Sequence, residues 1–248
     1  MRATQWEFRN RTWLFVAIFC IGLACYWFDP HNSGQALAEW LRGRLAFPWV
    51  NRQQSVVRGI FLMGAVVVGI GAIIRTWAGA YIRANVLQDS KVRTEKLVAD
   101  GPFRYTRNPL YLGILIGVFG AGVMCNPVGW AVQVLLAIVL VRRLILREES
   151  ELLRTQNESF RAYCRAVPTL FPAFKPRISA SGARPHWREG FAVQLNWWGI
   201  AMANVTWAIS LRPWLAFSVG GAAVIMSLVQ KHVLKTYSQP VATAKSVR

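Results

Sequence analysis

Six apolar runs separated by arginine-rich segments constrain the fold of this chain more than any other feature. They cover residues 13–28, 59–74, 114–125, 128–141, 191–211 and 213–229. A membrane helix needs about 20 apolar residues to cross the hydrocarbon core, and flanking arginine and tryptophan side chains extend the shorter runs to the interface. We therefore predict an all-α, polytopic integral membrane protein with about six transmembrane helices.

The basic residues follow a topological pattern. The chain carries 29 lysines and arginines against 11 acidic residues, a formal net charge of +18. In a soluble protein such a charge would indicate nucleic-acid binding, but here the basic residues punctuate apolar runs, so no nucleic-acid partner is predicted. With six spans most basic segments fall on one side, which the positive-inside rule makes cytoplasmic. The exception is segment 29–58, where we expect an interfacial helix near residues 36–45.

Smaller signals describe how the helices connect and pack. The dipeptide Asn126-Pro127 predicts a tight turn between two antiparallel helices. The glycines at 64, 69 and 71 favour close approach of a second helix. The four cysteines show no paired spacing, so neither a disulfide framework nor a metal site is predicted.

Two polar clusters on the predicted cytoplasmic face carry candidate chemistry. Residues 101–113 combine two arginines, three aromatic rings and two prolines directly before an apolar run. In the second cluster, Arg143, Arg147 and Glu151 share one helix face, and Glu148 lies beside them. Carboxylates among arginines can bind a zwitterion, although a solvated, salt-bridged juxtamembrane helix has the same pattern.

The order of motifs through both clusters resembles the isoprenylcysteine carboxyl methyltransferase family and its phospholipid methyltransferase relatives. The resemblance covers about residues 71–172. The motifs, in order, are Gln88, Leu97-Val98, Gly101-Pro102-Phe103, Arg107-Asn108-Pro109-Leu110-Tyr111-Leu112-Gly113, Cys125-Asn126-Pro127, Glu148-Glu149 and Val167-Pro168. It implies a methyltransferase-like membrane core at 59–176, between an N-terminal span with its extramembrane loop (1–58) and a C-terminal two-helix extension (177–248).

The resemblance also implies a function and a set of site residues. The expected activity is transfer of a methyl group from S-adenosyl-L-methionine to a lipophilic small molecule or lipid, with the cofactor pocket facing the cytoplasm of a bacterial inner membrane. Homo-oligomerisation is left open. The expected cofactor-binding residues are Gln88, Glu95, Lys96, Leu97, Val98, Phe103, Asn108, Pro109, Leu110, Tyr111 and Glu148.

Three positions depart from the family pattern. Asn108 stands where the family usually has histidine, and Gln156-Asn157 replaces a common Phe-Gly pair. Leu144 occupies the place of a substrate-contacting arginine. We therefore expect Arg143 or Arg147 to take that role, and the candidate catalytic residues are Arg143 and Glu149.

The chemistry favours an acidic acceptor. A carboxylate with a pKa of about 3.5 is ionised at neutral pH and needs no general base, whereas an amine needs one, for which Glu149 or a tyrosine is the candidate. The three histidines lie outside both clusters. Two alternatives stay open: an NADPH-dependent membrane reductase of the sterol-reductase type, which shares a related helical core, and a non-catalytic membrane protein.

Overall fold

The computed structural model describes residues 2–44, 53–82 and 100–238, and every regular element in these ranges is helical. The prediction of an all-α chain is confirmed. Three short 3-10 turns lie at Cys25–Trp27, Gly101–Arg104 and Gly122–Met124. The α-helices are α1 (Gln5–Arg9), α2 (Arg11–Ala24), α3 (Ser33–Arg44), α4 (Gln53–Tyr81), α5 (Pro109–Ala121), α6 (Pro127–Ala166), α7 (Trp187–Val193), α8 (Leu195–Ser210) and α9 (Pro213–Ser238).

Three of these helices are long and apolar enough to cross a membrane, within the part of the chain that the structure describes. They are Gln54–Tyr81, Pro127–Ala166 and Pro213–Gln230. Two further apolar helical stretches, Arg11–Trp27 and Pro109–Met124, are shorter. The chain is thus a polytopic integral membrane protein, and the count of about six spans stays a prediction.

Helix α4 is the centre of the bundle and packs along both α5 and α8. Glycine allows the contact with α5 to be made backbone to backbone: a Cβ added at Gly71 would lie 2.6 Å from the Gly113 carbonyl oxygen, and one at Gly64 would lie 2.9 Å from that of Gly120. The predicted packing role holds for Gly64 and Gly71. It is wrong for Gly69, because a Cβ there would meet no atom within 4 Å.

Helix α6 begins at the predicted turn and carries the second polar cluster. The Asn126 side chain accepts a hydrogen bond of 2.7 Å from the Gly129 amide, and Pro127 occupies the first helical position, as expected of a capped helix start. The 30 residues from 127 to 156 span about 45 Å, more than the roughly 30 Å hydrocarbon core. The carboxyl-terminal part of α6 therefore extends beyond the membrane.

Helix α6 bends sharply at Asn157. This residue has φ 43° and ψ −113°, which interrupts an otherwise helical path. Positive φ is unfavourable for most side chains, but glycine adopts it readily and asparagine is enriched there. The family pair that ends in glycine falls at this position, so the departure at Asn157 keeps the conformation that glycine would provide.

Candidate functional site

The first part of the site is the turn that leads into α5. Gly101 has φ 57°, and an added Cβ would overlap the Tyr81 ring, so both conformation and space require glycine. It begins the 3-10 turn Gly101–Arg104, in which the Phe103 side chain is buried. The Phe103 carbonyl oxygen accepts a 2.7 Å hydrogen bond from the Tyr163 hydroxyl of α6. Pro109 then starts α5, because its fixed φ suits the first helical position.

The two predicted clusters meet at Tyr111 and Glu148. The Tyr111 hydroxyl donates a 2.7 Å hydrogen bond to Glu148 Oε1, although the residues are 37 positions apart in the chain. Tyr111 is buried, whereas Glu148 is only partly buried. A carboxylate accepts several hydrogen bonds at once, so Glu148 combines a fixed orientation with capacity for a further polar ligand.

A second link between the clusters is centred on Arg107. Its Nε lies 3.0 Å from Glu149 Oε1, and both side chains are largely buried. Its Nη1 donates to the carbonyl oxygens of Cys164 and Val167 at 2.8 and 2.9 Å. The guanidinium fork thereby fixes the turn before α5 to both the middle and the end of α6.

Asn108 belongs to the same network. Its Nδ2 donates to Glu149 Oε1 at 3.2 Å and to the Thr169 carbonyl oxygen at 3.0 Å. A side-chain amide has two N–H donors, and both point at protein acceptors here. Asn108 therefore stabilises the junction of α5 and α6.

The segment after α6, residues 167–186, runs antiparallel to the turn before α5, and we call it the strap. Backbone hydrogen bonds of 2.9 Å join Arg107 N to Pro168 O, Ala173 N to Tyr105 O and Arg177 N to Arg104 O. The strap ends where the His186 amide donates to the Ala80 carbonyl oxygen of α4 at 2.7 Å. Sequence reasoning missed this pairing, because backbone hydrogen bonds outside regular elements leave no residue pattern.

Asp100 fastens the far end of the strap. Its carboxylate accepts a hydrogen bond from the Ser181 hydroxyl, and 2.8 and 2.9 Å bonds from the Ser181 and Ala183 amides. These donors stabilise the ionised form. They hold the pKa of Asp100 below its ordinary value, the Ser181 hydroxyl having the largest effect.

Arg75 is a further residue of the site, and it is not among the predicted site residues. It directly follows the apolar run 59–74 and lies inside α4. The apolar pattern weakens after residue 74, whereas the helix continues to Tyr81. Arg75 Nη1 donates to the Leu110 carbonyl oxygen and Arg75 Nε to Gln194 Oε1, both at 2.7 Å. A charged side chain inside a membrane helix is a candidate functional residue, and this one holds the first turn of α5.

The arginines of α6 contact the amino-terminal segment. Arg143 Nη2 lies 2.8 Å from Glu7 Oε2, and Arg147 Nη1 donates to the Ala3 carbonyl oxygen at 3.0 Å. The hydrogen bond from Arg143 is the main reason that the pKa of Glu7 lies below its ordinary value. Arg147 also stacks on the buried Phe8 ring. Both arginines thus hold α1 against α6.

The structure brings together part of the predicted site. Phe103, Asn108, Pro109, Leu110, Tyr111, Glu148 and Glu149 lie around the α5–α6 junction. Arg143 lies one turn earlier on α6, in its ion pair with Glu7. Gln88, Glu95, Lys96, Leu97 and Val98 lie outside the described residues. Within the described ranges, no group of three or more histidine, cysteine, aspartate or glutamate side chains is arranged to hold a metal ion.

The α5–α6 junction lies within the part of the chain that is similar to known proteins. Residues 60–157 match the phospholipid methyltransferase family. The chain is 27% identical over 113 residues to the cobalt-zinc-cadmium resistance protein CzcN of Cupriavidus metallidurans, covering 46% of this chain and 49% of that protein. The nickel-cobalt-cadmium resistance protein NccN of Alcaligenes xylosoxydans is 28% identical over 113 residues, covering 46% and 50%.

An enzyme is also among the relatives. The protein-S-isoprenylcysteine O-methyltransferase of Mus musculus is 29% identical over 145 residues, covering 56% of this chain and 50% of the enzyme. The chain thus spans about half the length of the curated relatives it matches. No solved structure matches the chain.

Fold and site together define a helical integral membrane protein whose polar site joins the start of one apolar helix to the part of the next that extends beyond the membrane. The comparisons confirm the resemblance to the isoprenylcysteine carboxyl methyltransferase family and its phospholipid methyltransferase relatives.

Proposed function

We propose that the protein is a membrane methyltransferase that uses S-adenosyl-L-methionine and modifies a lipophilic small molecule or lipid. The observation that carries the proposal is the 2.7 Å hydrogen bond between Tyr111 and Glu148. It joins the two motifs on which the family resemblance depends. The family match over residues 60–157 includes both residues.

The residues at the junction suit such a cofactor. The partly buried Glu148 side chain can accept hydrogen bonds from ribose hydroxyls or an ammonium group. The Tyr111 ring, next to it, offers an aromatic face that attracts a sulfonium cation. We propose that the predicted residues at 88 and 95–98 complete this pocket.

Each side chain then has a distinct task. The bound cofactor supplies an electrophilic methyl group on a positively charged sulfur. Glu148 and Tyr111 orient it, while Arg107, Asn108 and Glu149 keep the α5–α6 junction rigid. Because methyl transfer is an in-line displacement, alignment and exclusion of water account for most of the catalysis. A carboxylate acceptor has no proton to lose, and we propose that it pairs with the arginines of α6, in the first place Arg143. If the acceptor is an amine, Glu149 is the proposed base.

Ligand binding to the purified protein in detergent tests the cofactor site. S-adenosylhomocysteine should bind the unmodified chain, and Glu148→Ala or Tyr111→Ala should weaken binding at least about tenfold, since each removes a hydrogen bond to a charged group. Glu158→Ala is the matched control, because Glu158 lies on the same helix with 68% of its side chain exposed. Unchanged affinity in both site variants would overturn the assignment, and binding of NADPH instead would favour the reductase.

The acceptor requires a separate experiment. Lipid extracts from cells with and without the protein are compared by mass spectrometry for species heavier by one methylene unit. A methylated product that is lost in Glu148→Ala but kept in Glu158→Ala identifies the substrate class. Extracts that do not differ, despite normal S-adenosylhomocysteine binding, would favour a non-catalytic protein.

A further inference from the structure

A loop within the strap exposes two aromatic rings beside two cationic side chains. Phe171 is 81% exposed and Phe174 is fully exposed. Lys175 and Arg177, which follow, are exposed as well. We call residues 171–177 the aromatic–basic loop. A phenylalanine ring normally buries a large apolar area, so two bare rings three residues apart mark a contact surface.

The position of the loop fixes its depth relative to the membrane. Ala173 and Arg177 are hydrogen-bonded through their backbone amides to Tyr105 and Arg104, in the turn that leads into α5. The Tyr105 ring in turn packs against Trp77, near the end of α4, with ring centroids 6.0 Å apart. Tyrosine and tryptophan at helix ends are typical of the membrane–water interface. The loop therefore lies where α4 leaves the apolar layer and α5 enters it.

The charge around the loop favours one kind of partner. Residues 159–188 contain six lysines and arginines and no aspartate or glutamate. Arg161 and Arg165 pair with Glu158, whereas the other four lie in the strap or directly after it: Lys175, Arg177, Arg184 and Arg188. Clustered basic residues beside the membrane attract anionic lipid headgroups, and aromatic side chains bury in the interfacial layer. An anionic lipid surface therefore matches both the positive charge and the exposed aromatic rings of the loop better than a protein surface of mixed charge.

We propose that the aromatic–basic loop is a membrane-surface anchor. Phe171 and Phe174 insert into the interfacial layer of the leaflet on the side of the site, while Lys175 and Arg177 bind anionic phospholipid headgroups. Because the strap also holds the turn before α5, lipid contact stabilises that turn. The anchor depends on the position of the loop and its composition, and not on methyl transfer.

Site-specific labelling in vesicles tests the anchor. Phe174→Cys, with Phe171→Cys as a second position, is made in a Cys20→Ala/Cys164→Ala background and labelled with an environment-sensitive fluorophore. The vesicles are phosphatidylcholine with or without phosphatidylglycerol. Quenching is compared between spin-labelled lipids, with the label near the headgroup, and iodide on both sides of the bilayer. The matched control is Thr155→Cys, an exposed position on the extension of α6.

The expected result is strong lipid-borne quenching and weak iodide quenching at both phenylalanine positions, with the reverse at position 155. Lys175→Gln/Arg177→Gln should shift the loop towards water in anionic vesicles. Each basic side chain near an anionic surface favours the membrane-bound position of the loop over the water-exposed one by about fivefold. Removing both charges should therefore lower this equilibrium constant by about 25-fold. Iodide quenching at position 174 equal to that at position 155 would overturn the anchor. Equal immersion in neutral and anionic vesicles would overturn its assignment to anionic lipid.

Discussion

Replacing Arg107 by methionine should unfold the protein at a distinctly lower temperature. The change removes the 3.0 Å ion pair with Glu149 and the hydrogen bonds to two carbonyl oxygens, while it keeps most of the side-chain volume. Only 11% of the Arg107 side chain and 18% of the Glu149 side chain are exposed, so water replaces little of what is lost. Breaking a buried pair from one side costs about 3–5 kcal/mol, and we expect about 3 kcal/mol here.

Thermal unfolding of the purified protein in detergent measures this cost. For a chain of this size about 3 kcal/mol corresponds to a drop in Tm of about 6–12 °C. Arg161→Met is the matched control, because its pair with Glu158 is 3.8 Å long and both side chains are more than half exposed; exposed pairs contribute about 0–1 kcal/mol. The double variant Arg107→Met/Glu149→Gln should lose less than the sum of its parts. Similar Tm values for Arg107→Met and Arg161→Met would refute the structural role of the pair.

Three further predictions concern the backbone and the strap. Asn157→Gly should keep or raise Tm. Asn157→Val should lower the free energy of unfolding by about 1–2 kcal/mol, because a β-branched residue is strained at φ 43°. Equal Tm values for the two variants would contradict the bend. Gly113→Ala should destabilise the protein by at least about 1 kcal/mol, since the added Cβ would lie 2.7 Å from a carbonyl oxygen of α4. Gly69→Ala should be neutral or stabilising, because the added Cβ would meet no atom within 4 Å. The reverse order of stability in detergent unfolding would be inconsistent with the packing. Because the pKa of Asp100 is lowered in the folded protein, its stabilising effect is complete above the unfolded carboxyl pKa of about 3.9 and is lost as pH falls through the folded value. The protection of the Ser181 amide, measured as its exchange rate relative to the intrinsic rate at the same pH, should therefore fall on acidification, and Asp100→Asn should show low protection already at neutral pH. High, pH-independent protection in both proteins would exclude the carboxylate as the fastening.

The sequence predicted the parts of the fold that depend on side-chain type at fixed spacing. The apolar runs indicated the helices, and Asn126-Pro127 indicated the turn before α6. The resemblance named Tyr111 and Glu148 for one site, and the two side chains are hydrogen-bonded in the structure. The mapping of the site beyond these residues stays a prediction.

Three features of the structure were not predicted from the sequence, each for a physical reason. Helix α4 continues to Tyr81, beyond the apolar run that ends at residue 74, and its less apolar last turns gave no sign that Arg75 lies inside the helix. The strap is held mainly by backbone groups, which every residue possesses, so no pattern announces it. The partners of Arg143 and Arg147 are Glu7 and the Ala3 carbonyl oxygen, more than 130 positions away, and charge spacing along one helix cannot indicate them.

The two hydrogen bonds of Arg75 limit how this protein can be divided. One partner, the Leu110 carbonyl oxygen, belongs to the core that resembles the methyltransferases, and the other, Gln194, precedes α8 in the carboxyl-terminal extension. Gln194 is almost completely buried. A chain shortened before α7 would leave a guanidinium N–H without its acceptor inside an apolar helix, at a cost of several kcal/mol. The extension therefore supplies a buried hydrogen-bond acceptor to the core, and a core expressed alone needs a new acceptor for that N–H.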